Sequence, residues 1–147
     1  MKAKTIYEQL GFDRNLGPKE SMGIGKRATI IKWFDDLDIR PHKYVIHDDL
    51  SIDFKGDLYC SSNQLTSLPD NLTINGYLDC EDNQLTSLPN NLTVNGSLFC
   101  NHNKLTSLPD NLIVNGNLWC DNNPIANKSD EEILKGGAFI KGRISKE

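Results

Sequence analysis

Four cysteines are the residues of this sequence with the widest range of possible chemistry. Thiolates bind zinc, form disulfides and act as nucleophiles, and each role needs the sulfur atoms in a particular arrangement. An even interval between cysteines instead indicates one cysteine in each unit of a structural repeat. The four are separated by 20 residues each time, as Cys60, Cys80, Cys100 and Cys120.

The sequence around the cysteines repeats with the same interval. From residue 57 the units read DLYCSSNQLTSLPDNLTING, YLDCEDNQLTSLPNNLTVNG, SLFCNHNKLTSLPDNLIVNG and a degenerate NLWCDNNPIANKSDEEILKG. Loss of the pattern after Asn123 is typical of the last turn of a solenoid, which faces water instead of another turn. Leu58 and Cys60 alternate with polar residues, which predicts a short strand with one buried face. Stacked copies would form a parallel sheet with one strand per turn.

The other recurring positions predict the rest of each turn. Pro69 breaks any helix, so the outer side should be extended or a short 3₁₀ piece. Asn75-Gly76 predicts a tight turn in which glycine tolerates a positive φ. The remaining apolar residues of one core layer are Leu65, Leu68, Leu72 and Ile74. Asparagines that follow each cysteine by three residues should form a buried ladder, bonding main-chain groups of their own turn and the next: Asn63, Asn83, Asn103 and Asn123.

The pattern xLxCxxNxLTSLPxNLxVNG resembles the leucine-rich repeat family in its short 20-residue bacterial form. The resemblance covers residues 57–127, about half of the chain. It implies an α/β solenoid with one short parallel strand per 20-residue turn, the last of the four turns being degenerate. The sequence departs from the family in placing cysteine at the second strand position and Asn75 where the first leucine usually stands. A β-helix with 20-residue coils is the alternative fold.

Stacked in this way, the cysteines would stand in a row about 4.8 Å apart. A row does not supply the tetrahedron of a zinc site, and disulfides between parallel neighbours would distort the ladder. We therefore expect four buried, reduced thiols, with no metal and no cofactor.

Both ends of the chain differ in composition from the repeats. Residues 1–43 predict a helical module, with a short helix over TIYEQLGF and a second helix over about 20–37. Residues 44–56 alternate in hydropathy, which predicts a capping strand or hairpin. In the C-terminal cap, residues 128–147, a capping box at Ser129 predicts a short helix, and AFIKGRI predicts a final strand protected by its basic residues.

The second predicted helix carries an apolar stripe. We expect the stripe to pack on its own domain, with capture of a partner as the alternative. The segment FDRNLGPKESMGIGKRATIIKWFDDLDI is also similar to the N-terminal module of many phage-encoded repeat proteins, which implies a phage or prophage source. The stripe comprises Ile24, Ala28, Ile31 and Leu37, with Trp33 or Phe34.

No catalytic constellation is found. MGIGKRAT fails the phosphate-loop pattern because Glu20 and Arg27 replace its glycine and hydroxyl residues, so Lys26 and Arg27 are expected to be solvated helix charges. The three histidines lack ligand spacing. No apolar run reaches the roughly 18 residues of a membrane span, and the first residues lack the core of a signal peptide. We expect a non-enzymatic protein of the bacterial cytoplasm or of a virion.

Function is predicted on the concave sheet face, where the strand positions beside the buried leucine and cysteine vary between units. The rows are Asp57, Tyr77, Ser97 and Asn117; Tyr59, Asp79, Phe99 and Trp119; Ser61, Glu81, Asn101 and Asp121; and Ser62, Asp82, His102 and Asn122. Aromatic side chains are enriched in binding hot spots. The predicted partner-binding residues are Tyr59, Tyr77, Asp79, Glu81, Asp82, Phe99, His102, Trp119 and Asp121.

The net charge of −4 is concentrated in the repeats. Residues 51–127 contain eight acidic and two basic residues. An acidic face disfavours nucleic acid and favours a basic protein surface. The sequence therefore predicts a protein-binding module, and the alternative is a structural or virion-associated phage protein docked through its N-terminal module.

Overall fold

The computed structural model describes residues 18–147. The described chain begins with helix α1 (Pro18–Asp36) and a 3₁₀ turn (Pro41–Lys43), which are followed by short strands. A second 3₁₀ segment (Pro124–Asn127) and helix α2 (Asp130–Leu134) precede the last two strands. Within this part of the chain, no helix combines the length and the apolar character that a membrane crossing requires. The helix predicted over TIYEQLGF lies outside the described residues.

The strands form two sheets. Sheet A has six strands, in the order β1 (Tyr44–Ile46), β2 (Ile52–Phe54), β4 (Leu72–Ile74), β6 (Thr93–Val94), β8 (Ile113–Val114) and β10 (Phe139–Ile140). Sheet B has five strands, in the order β11 (Ile144–Ser145), β9 (Leu118–Trp119), β7 (Leu98–Phe99), β5 (Leu78–Asp79) and β3 (Leu58–Tyr59). Apart from the antiparallel β1–β2 pair, all pairings are parallel.

The register of sheet B follows the 20-residue repeat. Leu58 lies opposite Leu78, which lies opposite Leu98, which in turn lies opposite Leu118. The predicted parallel-strand solenoid is confirmed, with about three turns. The prediction of one strand per turn is wrong, because the segment after each proline is not only extended but also pairs with the next turn to build sheet A. Each repeat coil therefore contributes one strand to each of two sheets, which is the arrangement that the β-helix alternative entails.

The core layer of each coil contains the residues that the sequence predicts. In the second coil Leu78, Cys80, Leu85 and Leu92 are fully buried. Leu65 of the first coil is only partly buried, whereas its equivalents Leu85 and Leu105 are fully enclosed. The repeat therefore fixes the core, and the outermost coil encloses one of its leucines less completely.

The glycine of each Asn-Gly pair has a different role from the one predicted. Gly76, Gly96 and Gly116 do not adopt positive φ. The main-chain N–H of Gly96 donates to the carbonyl of Gly76 at 2.8 Å, and a Cβ on Gly96 would lie 2.6 Å from the Tyr77 ring. The coils approach each other so closely at this corner that only glycine fits. Asn71 and Asn91, in the same part of the coil, adopt the left-handed conformation instead.

The β1–β2 hairpin covers the N-terminal edge of sheet A, as the prediction of a capping hairpin requires. It leaves β3 as the edge strand of sheet B. At the other end, β10 and β11 each extend one sheet, so the cap contributes two strands where one is predicted. The capping box of α2 is confirmed: the main chain of Glu132 donates to Ser129 Oγ at 3.2 Å, and that of Ser129 donates to Glu132 Oε2 at 2.8 Å.

Helix α1 packs on the solenoid through its C-terminal half. Phe34 is fully buried and stacks on Tyr44 with ring centroids 3.9 Å apart. Ile30, Trp33 and Leu37 also pack against the core. The expectation that this helix packs on its own domain is therefore correct for Trp33, Phe34 and Leu37, but Ile24, Ala28 and Ile31 do not join the core cluster.

Arg27 is not the solvated charge that the sequence predicts. Its guanidinium donates to the carbonyls of Ile46 and His47, at 2.8 Å in both cases. These carbonyls belong to the β1–β2 connection, so Arg27 ties the first half of α1 to the hairpin.

Candidate binding face

Sheet B presents the four predicted rows along one surface, which we call the sheet B face. Strand β11 adds a fifth member, since Ile144 pairs with Leu118 and Ser145 with Trp119. Arg143 therefore stands next to Asn117, and its main chain donates to Asn117 Oδ1 at 2.9 Å. Sequence reasoning missed Arg143 because the last step of the repeat spans 26 residues instead of 20. The alternating hydropathy around Ile144 is the signal that could have revealed it.

The first row is largely structural. Asp57 Oδ1 accepts a hydrogen bond from the main chain of Tyr77 at 2.7 Å, and Ser97 Oγ accepts one from Asn117 at 2.9 Å. Each of these side chains satisfies the main-chain N–H that immediately precedes the next strand of sheet B, a group that would otherwise lack a partner. The side chains of Asp57, Ser97 and Asn117 therefore bond to the main chain immediately before the next strand in sheet B. Tyr77 is the residue of this row whose side chain is exposed.

The fourth row lies where the chain turns away from sheet B. Asp82 and His102 both have a φ of 51°, in the left-handed region. Asparagine, aspartate and histidine tolerate this conformation better than most residues do, which explains their presence in the row. His102 Nδ1 lies 3.8 Å from Asp82 Oδ1. The residue types at positions 82 and 102, which predicted a binding role, are therefore also explained by the left-handed backbone conformation that these positions require.

The aromatic side chains form a continuous line across the coils. Tyr77 meets Phe99 edge to face at a centroid distance of 6.3 Å, and Phe99 stacks on Trp119 at 6.0 Å. Tyr59 is 65% exposed, and its hydroxyl donates to Asp57 Oδ2 at 3.4 Å. The nearby Asp57 carboxylate is the main reason that the pKa of Tyr59 is raised. The structure thus brings together the four aromatics that the sequence assigns to this face.

Two shallow depressions lie along this line. The larger, of about 420 Å³, is lined by Tyr59, Tyr77, Asp79, Glu81 and Phe99, and we call it the aromatic–acidic depression. The smaller, of about 290 Å³, lies at the other end of the face and includes Trp119 and Arg143. The two ends of the face therefore differ in charge.

Negative charge accumulates around Glu81. Partial burial, followed by the charges of Asp79, Asp82 and Asp121, raises the pKa of this carboxyl. None of the sixteen positions in the four predicted rows is a lysine or an arginine. Asn101 donates to the carboxylate of Asp121, while its own Oδ1 is buried without a hydrogen-bond partner.

The cysteines lie on the opposite side of the sheet B strands, in the core. All four are free and buried, as predicted. Burial raises the pKa of Cys60 to about 12 and that of Cys120 to about 11, and it also raises the pKa values of Cys80 and Cys100 well above the ordinary value of a thiol. These thiols are therefore protonated hydrophobic groups. Among residues 18–147, no three His, Cys, Asp or Glu side chains are grouped so that they could hold a metal ion.

The predicted asparagine ladder is present in three of its four members. Asn83 donates to the carbonyls of Cys60 and Cys80, both at 3.0 Å, and Asn83 Oδ1 accepts from the main chain of Leu65 at 2.9 Å. The ladder therefore connects each coil to the preceding one, not to the next as predicted. Asn63 has no preceding repeat, so its side chain is exposed and, among the described residues, donates only to the carbonyl of Ser61 in its own coil.

No protein-family model matches the chain, and neither a curated protein nor a solved structure matches it. The interpretation of the sheet B face therefore rests on its own geometry.

Proposed function

We propose that this protein is a non-enzymatic interaction module that binds another protein through the sheet B face. The observation that carries the proposal is the aromatic line Tyr77–Phe99–Trp119, which lies at the surface on a rigid two-sheet scaffold. Large aromatic side chains dominate the energetics of protein interfaces. A solenoid supports such a face well, since the core fixes the spacing of the outward side chains.

The charge of the face indicates the chemistry of the partner. Asp79, Glu81 and Asp121 lie beside the aromatic line, and partial burial together with the neighbouring carboxylates raises the pKa of Glu81. A basic protein surface would supply this charge, whereas a nucleic acid would be repelled. Arg143 at the C-terminal end of the face favours one orientation of the partner.

We further propose that the repeats belong to the short bacterial leucine-rich type and that the protein comes from a phage or prophage. The LTSLP segments and the similarity of residues 12–39 to phage-encoded modules support this origin. The protein would then act in the cytoplasm of a bacterial host or within a virion.

Affinity capture with the full chain from candidate host lysates, read out by mass spectrometry, tests the function. Phe99→Ala and Trp119→Ala should each abolish enrichment of a specific partner, whereas Ile113→Ala should retain it. Ile113 is a matched control because its side chain is 40% exposed and belongs to sheet A. Retention of the partner by both aromatic variants, with the fold intact by circular dichroism, would show that the sheet B face is not the binding surface.

A second function is favoured by one observation on α1. Ile24 and Ala28 are half-buried and do not join the core cluster of residues 18–147, so the first half of this helix carries partly exposed apolar side chains among the described residues. The protein would then be a structural or virion-associated component attached through its N-terminal module. Detection of the chain in purified phage particles, and its loss with Ile24→Glu, would support this function over the first.

A further inference from the structure

The aromatic–acidic depression combines two kinds of group that attract a cation. Three aromatic rings border it, from Tyr59, Tyr77 and Phe99, and two carboxylates complete it, from Asp79 and Glu81. Ring faces and carboxylates both bind positively charged groups, and a planar cation can use both at once. We propose that this depression binds the guanidinium group of an arginine side chain presented by the partner, an inference that rests on the proposed function.

The carboxylates of the depression have free hydrogen-bonding capacity. Asp79 Oδ1 accepts from the main chain of Glu81 at 3.2 Å, which leaves its second oxygen available. The Glu81 carboxylate forms no hydrogen bond or ion pair with any other described residue. Partial burial, followed by the charges of neighbouring aspartates, raises the pKa of this carboxyl. The depression therefore offers acceptors and negative charge, and no cationic side chain of the described residues lines it.

An independent observation at the neighbouring strand also indicates a missing donor. Asn101 lies one coil beyond Glu81 in the third row, and its carbonyl accepts from the main chain of Asp82 at 3.1 Å. Its side-chain nitrogen is used by Asp121, and its buried Oδ1 has no partner. Buried acceptors are nearly always satisfied in folded proteins. This part of sheet B therefore has more acceptor capacity than the described residues satisfy, and a ligand with several N–H groups would satisfy the free oxygens of Asp79 and Glu81 in the depression.

Guanidinium fits these groups better than ammonium does. It is planar, stacks on aromatic rings and presents five N–H donors in a rigid fork. Ammonium is a compact and strongly hydrated charge that would lose more water on entering the depression. Tyr59 and Tyr77 are 65% and 48% exposed, so their rings are accessible for stacking.

The inference is tested by titrating the ¹⁵N-labelled full chain with acetyl-Gly-Arg-Gly-amide and following amide chemical shifts. Saturable shifts are expected at residues 59, 77–81 and 99, with a dissociation constant of the order of 1 mM. The lysine peptide should bind at least about threefold more weakly. The citrulline peptide, which is nearly isosteric and uncharged, should produce no saturable shift.

Glu81→Gln and Asp79→Asn should each weaken binding of the arginine peptide at least about fivefold. Glu131→Gln, in α2, makes the same chemical change far from the depression in sequence and should leave binding unchanged. The spectra themselves report whether each variant is folded. Equal binding of the citrulline peptide, shifts that map outside the depression, or unchanged affinity in both site variants would each overturn the inference.

The outcomes for the two proposals are separable. If Phe99→Ala and Trp119→Ala abolish capture of the partner and the arginine peptide does not bind, the arginine inference fails and the proposed function stands. If the peptide binds and neither aromatic variant affects capture, the depression does not serve the partner and the proposed function fails.

Discussion

The side-chain amide of Asn103 donates to the main-chain carbonyl of Cys80, in the preceding coil, at 3.0 Å. The same nitrogen also contacts the carbonyls of Cys100 and Asn101, and Asn103 Oδ1 accepts from the main chain of Leu85 at 2.9 Å. One buried side chain thus satisfies groups of two coils at the point where sheet B ends. This contact adds specific polar bonding between coils, beside the apolar packing, the strand pairing and the bonds that Asp57 and Ser97 accept.

Asn103→Ala should destabilise the protein by about 2–4 kcal/mol, since buried main-chain groups lose their partners. Asn63→Ala is the matched control, because the Asn63 side chain is exposed and its described hydrogen bond goes to the Ser61 carbonyl. Its effect should remain below about 1 kcal/mol. Urea denaturation followed by circular dichroism measures both values, and equal destabilisation by the two variants would show that the ladder adds no stability.

Gly96→Ala should destabilise the protein by about 1–3 kcal/mol through steric overlap with the preceding coil. The added methyl would lie 2.6 Å from the Tyr77 ring and 2.8 Å from the Gly76 carbonyl oxygen. Gly25→Ala, in α1, meets no atom within 4 Å and should stabilise the helix by about 0.5–1 kcal/mol. Thermal denaturation should therefore shift in opposite directions for the two substitutions. A neutral Gly96→Ala would contradict the close approach of the coils.

The four thiols should react slowly with iodoacetamide at pH 8 in the native protein and completely after unfolding. Cys120, with a pKa of about 11, lies beside the terminal strand β11 and should be modified before Cys80 and Cys100, which lie between two repeat coils. Mass spectrometry of peptides from a timed reaction gives the order. Modification of Cys80 before Cys120 would contradict it.

The thiols also make stability depend on alkaline pH. Because the folded pKa values exceed the ordinary thiol value of 9.0, the folded state retains protons that the unfolded state releases. The contribution of these thiols to the free energy of unfolding should therefore be constant below pH 9. It should fall as pH rises from 9 towards 11–12.

Glu81→Gln should stabilise the protein at pH 7 by about 0.5 kcal/mol, since solvent screens much of the repulsion at this partly exposed group. The pKa of Glu81 is raised, so the folded state disfavours the ionised carboxyl relative to the unfolded state. The penalty is absent below the ordinary glutamate pKa of 4.5, where the group is protonated in both states, and it develops as pH rises through the folded pKa. Melting temperatures of the variant and the wild type should therefore converge at pH 3–4. Glu131→Gln serves as the control and should show no such convergence.

The sequence predicts the repeating interior well, for reasons that the core makes clear. Leu78, Cys80 and Leu92 recur at a fixed interval, and a solenoid must bury the same positions in every coil. The asparagine ladder follows from the same logic, since a polar residue in register with buried ones must find partners.

Other features were missed because local patterns are ambiguous. Thr93 and Val94 precede an Asn-Gly pair, a sequence that indicates a turn, and their pairing into sheet A depends on coils that lie 20 residues away. Arg143 joins the sheet B face only through the irregular 26-residue step. For the candidate site, the aromatic and acidic composition was predictable from the sequence. The hydrogen bonds that Asp57 and Ser97 accept from the next coil were not, because they depend on the register between coils.

The equal spacing of the contacts between coils has a consequence for how this protein can change in length. Removal of residues 77–96 would join Gly76 to Ser97, and each side of that junction would meet the same types of neighbour as before. A whole coil can therefore be removed without changing the kinds of core contact that its neighbours make, and each removal should shorten the solenoid by about 4.8 Å. Such a deletion would place Tyr59 directly beside Phe99 and eliminate Asp79 and Glu81, so it would alter recognition while preserving the architecture.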